Sequence, residues 1–172
     1  MTTISNGMVD SDGIEDTKAV ILAVAERLPR IALLSIEARS ATASGWAGRG
    51  RGRVRVAHAA DGGIDFEESG RFEAENGRAT LAFRNLLRWT VEPERILLAH
   101  RRHGPAGGTR LVELRPQRSG PARAGLAGVA PHRCGADRYE ATLNLAADGF
   151  DMAWRVTGPG KNERLIHRYR LG

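Results

Sequence analysis

Three histidines of the sequence fall in phase with the apolar residues of β-type segments. His58 follows Val54 and Val56 at alternate positions, and His100 and His167 continue an apolar alternation in the same way. Because side chains alternate across a strand, each imidazole is expected to face an interior. Three imidazoles that met there would suit zinc or a related metal, and a single one could be the axial ligand of a haem. Their scattered spacing favours neither site, so no metal or cofactor is assigned.

Other polar residues share the inward phase of their segments. Asn85 alternates with Trp89, Tyr169 alternates with apolar residues near the end of the chain, and Glu68 is in phase with Phe66. A mostly aromatic and aliphatic interior with a few convergent polar groups is typical of a ligand-binding cavity. If such a cavity were catalytic, Glu68 or a histidine would be the candidate general base.

The stretch PHRCGADRY at 131–139 places four chemically versatile residues close together: His132, Cys134, Asp137 and Tyr139. A cysteine and a histidine two residues apart could be a nucleophile with its base, or two ligands. No orienting group or oxyanion hole accompanies them, so we expect them at the rim of the cavity. The predicted ligand-binding residues are therefore His58, Glu68, Asn85, Trp89, His100, His132, Cys134, Tyr139, Trp154, His167 and Tyr169.

The segments that carry these residues read as an antiparallel meander. Turn signals occur at 60–63 (ADGG), 75–78 (ENGR), 92–95 (EPER), 103–109 (HGPAGGT), 147–150 (ADGF) and 157–162 (TGPGKN). Asn-Gly and Asp-Gly are strong hairpin signals because the preferred turn needs positive φ. The predicted strands are 53–59, 64–74, 79–91, 95–102, 109–115, 137–147, 149–157 and 163–171, with a further segment at 31–40. The fold class predicted is all-β, an antiparallel up-and-down barrel of eight to ten strands, which leaves no open edge.

The remaining segments interrupt this meander. Apolar residues at a helical period predict one short helix near 13–28, which Pro29 ends. Glycines at high density predict a bend, a bulge or a close backbone approach within 40–52, around Trp46. Residues 116–131 read as one long irregular connection that has room for a short strand. We expect a flexible tail at 1–12 and a single domain at 13–172.

The charge of the chain is strongly basic but spread out. The formal net charge is +6, and of the 26 basic residues only Lys18 and Lys161 are lysine. One dense stripe, Arg49, Arg51, Arg53 and Arg55, would lie on one face of a strand and could bind anions or nucleic acid. A charge run is more often a solvated face, so nucleic acid is not the favoured partner.

Several classes of protein are excluded. The single cysteine excludes an internal disulfide framework, and no apolar run is long enough for a membrane-spanning helix. The acidic start of the chain is unlike a secretory signal, so we expect a cytoplasmic protein and no membrane partner. Phosphate-binding loops, the nucleophile elbow and the zinc-protease motif are also absent.

A set of short segments resembles an uncharacterised family of small bacterial and fungal proteins, a domain of unknown function. The segments are 66–72 (FEESGRF), 83–89 (FRNLLRW), 95–100 (RILLAH), 131–139 (PHRCGADRY) and 150–161 (FDMAWRVTGPGK), followed by RYR at 168–170. The resemblance implies a lipocalin-like, calycin-type barrel and no established activity. Where that family tends to carry Gly-x-Trp near the first strand, residues 28–32 read Leu-Pro-Arg-Ile-Ala. The W-R-V-x-G-P-x-K piece predicts a structural hairpin in preference to a site at Arg155 and Lys161.

These observations favour a binding protein whose barrel holds a small, partly apolar molecule. The first alternative is an isomerase-type or hydrolase-type enzyme that uses the same cavity, and the second is an anion-binding or nucleic-acid-binding module built on the arginine stripe. Pairing of an outer barrel face with a second copy, to give a homodimer, is left open.

Overall fold

The computed structural model describes residues 11–42, 47–75, 77, 79–101, 108–117 and 125–172. Residues 1–10 of the predicted tail, Trp46, Asn76 and parts of two predicted connections, 102–107 and 118–124, lie outside the described residues.

Strands make up most of the described chain. They follow helix α1 (Ser11–Arg27) and a 3-10 turn (Leu28–Arg30). The strands are β1 (Ile31–Ser40), β2 (Gly48–His58), β3 (Ile64–Ala74), β4 (Thr80–Glu92), β5 (Arg95–His100), β6 (Thr109–Pro116), β7 (Gly125–Gly128), β8 (His132–Cys134), β9 (Asp137–Ala146), β10 (Gly149–Gly158) and β11 (Lys161–Leu171). The short strand β7 lies inside the connection that the sequence predicts as irregular.

Ten of these strands close into an antiparallel barrel. Neighbouring pairs follow the order β11, β1, β2, β3, β4, β5, β6, β7, β9, β10, and β10 pairs with β11 to complete the ring. The short strand β8 lies beside the ring and pairs with the start of β9, on the edge where β7 pairs with its end. Closure gives each of the ten ring strands two partners, and so it removes the open edges of the sheet. The predicted all-β barrel with one N-terminal helix is confirmed.

Helix α1 covers the end of the barrel at which β1 begins. Its apolar residues Val20, Ile21 and Val24 are buried in the same core as the strand residues, and Leu28 of the 3-10 turn joins them. Pro29 stands in that turn, where the predicted helix end is confirmed. In the described part of the chain, no helix has the length and apolar character needed to cross a membrane.

Four aromatic side chains fill the half of the barrel next to the helix. Phe66, Trp89, Phe150 and Tyr169 are all 0% exposed. Their ring centroids are 5.6 Å apart for Phe66 and Trp89, 5.7 Å for Trp89 and Phe150, and 4.9 Å for Phe150 and Tyr169. Tilted contacts at these separations are the arrangement that aromatic pairs favour. This end of the barrel is therefore a packed core.

The glycine-rich segment before the predicted first hairpin is a strand along residues 48–52. The predicted bend there is wrong, because β3 pairs with β2 over its whole length. Gly52 and Gly70 face each other in register, and Phe83 lies over both. A Cβ atom built on Gly70 would be 2.7 Å from Cζ of Phe83 and 2.2 Å from the carbonyl oxygen of Arg51. The predicted close backbone approach is confirmed.

Replacement of this glycine tests the packing of β2 and β3. We expect Gly70→Ala to lower the free energy of unfolding by about 1–3 kcal/mol, because backbone atoms must move to admit a methyl group. The control is Gly160→Ala, since nothing lies within 4 Å of a Cβ at Gly160, and it should change the free energy by less than about 0.5 kcal/mol. Urea unfolding followed by circular dichroism measures both, and equal effects would contradict the packing described.

Candidate functional site

A cavity of about 400 Å³ occupies the half of the barrel that the aromatic cluster leaves open. It lies toward the end where β5 and β10 finish and where β6, β9 and β11 begin. The lining residues are Glu68, Asn85, Leu87, Leu98, His100, Thr109, Leu111, His132, Cys134, Tyr139, Met152, Trp154, Val156, Leu165, His167 and Tyr169. None of these described lining residues is arginine or lysine. The cavity is thus apolar with a few uncharged or acidic polar groups.

A buried carboxyl group forms the floor of the cavity. Glu68 on β3 accepts a hydrogen bond of 2.6 Å from the hydroxyl of Tyr169 on β11, and one of 2.9 Å from Nδ2 of Asn85 on β4. Glu68 and Asn85 are direct cross-strand partners, whereas β11 lies on the opposite side of β1 and β2. Glu68 and Tyr169 are both 0% exposed, so a ligand above them would meet the amide of Asn85 first.

The environment of this carboxyl differs from that of the acidic residues on the outer surface. Burial raises the pKa of Glu68, and the hydrogen bonds from Tyr169 and Asn85 offset part of that rise. Asp65, by contrast, binds Arg88 and Arg101, and the hydrogen bond from Arg88 is the main cause of its lowered pKa. Burial, together with the nearby Glu68 carboxyl, raises the pKa of Tyr169 well above its usual value. Its phenol therefore remains a neutral donor.

His167 supplies a second polar group to the cavity. Burial lowers the pKa of its imidazole from 6.5 to about 4, so the ring is neutral at pH 7. The ring lies edge-on to Tyr169, with centroids 6.2 Å apart. Within the described residues neither ring nitrogen has a hydrogen-bond partner. A neutral imidazole in this position offers a ligand one donor and one acceptor.

The mouth of the cavity is formed by β8, the start of β9 and the start of β6. His132 packs against Tyr139, with ring centroids 5.9 Å apart, and these two residues are paired across the β8–β9 hairpin. Cys134 is a free, exposed thiol at this rim. No hydrogen bond among the described residues joins Cys134 to His132, so the alternative of a nucleophile with its base has no support in this geometry. The prediction that this motif lies at the rim agrees with its position.

Nine of the eleven residues predicted to bind a ligand line this cavity. They are Glu68, Asn85, His100, His132, Cys134, Tyr139, Trp154, His167 and Tyr169. The other two do not: Trp89 is part of the aromatic core below the floor, and His58 is exposed where β2 ends near the helix. The alternative of a site with three imidazoles is therefore wrong, because His58 lies at the opposite end of the barrel from the other two. Among the described residues, no three His, Cys, Asp or Glu side chains are grouped so as to hold a metal ion.

Some lining residues were not predicted as site residues. Met152, Val156 and Leu165 have the inward phase of their strands, which marks an interior residue but does not distinguish core from cavity wall. Thr109 was missed for another reason. The apolar pair Leu111 and Val112, with Leu114 after it, leaves the phase of β6 ambiguous in the sequence.

The arginine stripe of β2 points away from the cavity. Arg49, Arg51, Arg53 and Arg55 are all exposed on the outer face, as their alternation predicts. Arg55 binds Glu67 on the neighbouring strand. The other three have no ion-pair partner among the described residues.

Comparisons with known proteins give a family and nothing further. The model of a family described as "Family of unknown function (DUF6314)" matches residues 35–171. No curated protein and no solved structure matches the chain.

The low pKa of His167 predicts a pH dependence of stability. The unfolded chain binds a proton at this histidine near pH 6.5, whereas the folded chain does so only near pH 4, where its pKa lies. Stability is therefore lost as pH falls between these values, by about 2–3 kcal/mol. We expect His167→Gln to remove that part of the slope in urea unfolding experiments from pH 7 to pH 4.

The matched control is His58→Gln, which replaces an exposed imidazole. This variant should keep the slope of the unsubstituted protein. The raised pKa of Glu68 acts in the opposite direction over acidic pH but is common to all three proteins, so it cancels in the comparison. Identical slopes for all three proteins would show that His167 is not shielded from water.

Proposed function

Because the chain belongs to the family of unknown function DUF6314 and folds as a closed barrel, we propose that it is a lipocalin-like binding protein. Its ligand is one small, uncharged and partly apolar molecule held in the cavity. The observation that carries this proposal is the chemistry of the cavity wall. None of the basic residues that the structure describes lines the cavity, and most of the described wall is aliphatic or aromatic.

The lack of a basic residue among the described wall residues argues against an anionic ligand. A charged group transferred from water into a cavity without a partner loses several kcal/mol of solvation. Fatty acids and phosphorylated molecules would meet that cost here. The volume of about 400 Å³ falls within the roughly 300–1,000 Å³ of known small-molecule sites.

The polar groups of the cavity are placed to orient such a ligand. Asn85 donates through Nδ2 to Glu68, which fixes the amide and leaves its oxygen as an acceptor without a partner among the described residues. His167 offers a neutral donor and acceptor. A hydroxyl, amide or carbonyl group of the ligand would bind between them, while its apolar part contacts Met152 and Trp154. A few fixed polar contacts of this kind set the orientation of a ligand in a mainly apolar site.

Two dyes that share one ring system test the proposal. N-phenyl-1-naphthylamine is uncharged, and 8-anilinonaphthalene-1-sulfonate adds an anionic sulfonate. We expect the uncharged dye to bind once per protein, with an affinity at least about tenfold higher than that of the sulfonate, because the anion finds no cationic partner. Fluorescence titration and native mass spectrometry measure affinity and stoichiometry.

A variant at the mouth locates the binding. Thr109→Trp places a large side chain at the rim and should weaken binding of the uncharged dye by more than about tenfold. The control is Thr80→Trp, at an exposed threonine of β4 away from the cavity. Dye binding that survives Thr109→Trp, or tighter binding of the sulfonate, would contradict the proposal.

A second candidate is an isomerase, and the neutral imidazole of His167 favours it. His167 is unprotonated at pH 7 and lies in an apolar cavity beside Tyr169, so its free nitrogen can accept a proton from one carbon of a ligand and return it to another. Glu68 itself is buried beneath Tyr169 and Asn85, so His167 is the residue that would contact the substrate. Such a proton transfer needs no oxidant, reductant or co-reactant.

Deuterium incorporation separates binding from isomerisation. The protein is purified from its own host, and the small molecule that accompanies it is incubated with fresh protein in D₂O. An isomerase would introduce deuterium into the molecule, and His167→Gln would stop the exchange. If the molecule stays bound to the protein and takes up no deuterium, the protein binds it without isomerising it.

A further inference from the structure

A row of arginines crosses three neighbouring strands on the outside of the barrel. Arg155 on β10 is paired in register with Arg164 on β11, and Arg164 is paired in register with Arg39 on β1. Directly opposite residues on one face have Cβ atoms about 4.5–5.5 Å apart, and like charges in such pairs are destabilising. The fold therefore keeps three positive charges side by side at a cost in stability.

Two of these arginines form no ion pair with a described residue. Arg39 binds Oε1 of Glu37 through Nε at 2.9 Å and through Nη2 at 2.7 Å. Arg155 and Arg164 form no ion pair or hydrogen bond with any described residue. Arg155 stands in register with Glu140 on β9, but the carboxyl of Glu140 accepts a hydrogen bond of 2.8 Å from Arg138 instead. The row thus leaves about two positive charges free.

The free arginines line a groove. Its volume is about 900 Å³, and its walls include residues 127–131 on one side and Asn162 on the other. The basic residue Arg138 also lines it but donates to Glu140 at 2.8 Å. Lys161 of the adjoining hairpin is bound to Asp137 at 2.6 Å. The carboxyls of Glu140 and Glu163 also line the groove, and the arginines there that lack an ion-pair partner among the described residues are Arg155 and Arg164.

We propose that this groove binds the phosphate group of a phosphomonoester between Arg155 and Arg164. A phosphomonoester carries about −1.5 to −2 charges at pH 7, which matches two free guanidinium groups. Each guanidinium presents a planar fork of donors that suits phosphate oxygens. A carboxylate, with a single charge, would leave one arginine uncompensated. The W-R-V-x-G-P-x-K piece forms the predicted hairpin, and its Arg155 is assigned a binding role in addition.

Isothermal titration calorimetry with phenyl phosphate, inorganic phosphate and benzoate tests the site, with sodium chloride holding ionic strength constant. We expect phenyl phosphate to bind once per protein and benzoate to bind at least about tenfold more weakly, because it lacks the second charge. Arg155→Gln and Arg164→Gln should each weaken phenyl phosphate by about tenfold, the loss of one charge-assisted contact. Both residues are exposed, so these changes leave the core intact.

The control variant is Arg110→Gln, at an exposed arginine of β6 that does not line the groove. It should change the affinity less than about twofold, since distant exposed charges are screened by salt. A fall in affinity below about pH 6, where the monoester takes up a proton, would further support the assignment. Tighter binding of phenyl phosphate than of inorganic phosphate supports an organic monoester, and equal binding supports the same site as one for free phosphate.

Three results would overturn the proposal. The first is no saturable heat with either phosphate compound. The second is an equal loss of affinity in Arg110→Gln and Arg155→Gln, which would show attraction to net charge alone. The third is a single-stranded oligonucleotide that binds more tightly than phenyl phosphate and competes with it, which would indicate a nucleic-acid surface instead. None of these results bears on the cavity, whose dye titration is independent.

Discussion

The hydrogen bond from Tyr169 to Glu68 joins β11 to β3 across the inner faces of β1 and β2, and it divides the interior of the barrel. Below it, Tyr169 packs against Phe66 and Phe150 in a core that the helix closes. Above it, Asn85 and His167 face open space. A buried carboxyl is costly unless its oxygens are satisfied, so the donors from Tyr169 and Asn85 are what allow Glu68 to occupy this position. The cavity exists because the floor is held by these bonds instead of by further apolar packing.

The alternation of side chains along each strand separates the charged residues outside the barrel from the apolar residues inside it. Outward positions of the strands carry most of the described arginines, many of them bound to carboxyls on the next strand, whereas the described residues of the cavity wall include none. The strongly basic composition therefore describes the outer surface and says little about the interior cavity. The two proposed sites differ accordingly: we propose an uncharged molecule for the interior cavity, and a doubly charged anion for the outer groove along the row from Arg155 to Arg39. Trp154 and Ala141 line the groove, and Trp154 also lines the cavity, so a thin wall separates the two.

Much of the fold could be read from local pattern. Period-two alternation and turn signals identify strands because both depend on neighbouring residues alone. The same alternation brought Asn85, His100 and His167 to one cavity without knowledge of the strand order. Alternation does not predict the position of a residue along the barrel axis. It states which face of the strand a residue occupies, but not which end of the barrel it lies near. Trp89 and His58 have the inward phase, yet one lies beneath the cavity floor and the other at the rim near α1.

The sequence by itself determined the strands, the hairpins, the face of most side chains and the family of unknown function to which the chain belongs. Only the tertiary structure decided which of the inward residues border open space. That depends on how far α1 and four aromatic rings fill the barrel, and on pairing between strands distant in the chain. The arginine row is of the same kind: Arg39 and Arg164 are 125 residues apart in the sequence, and only the register of β1 against β11 makes them neighbours.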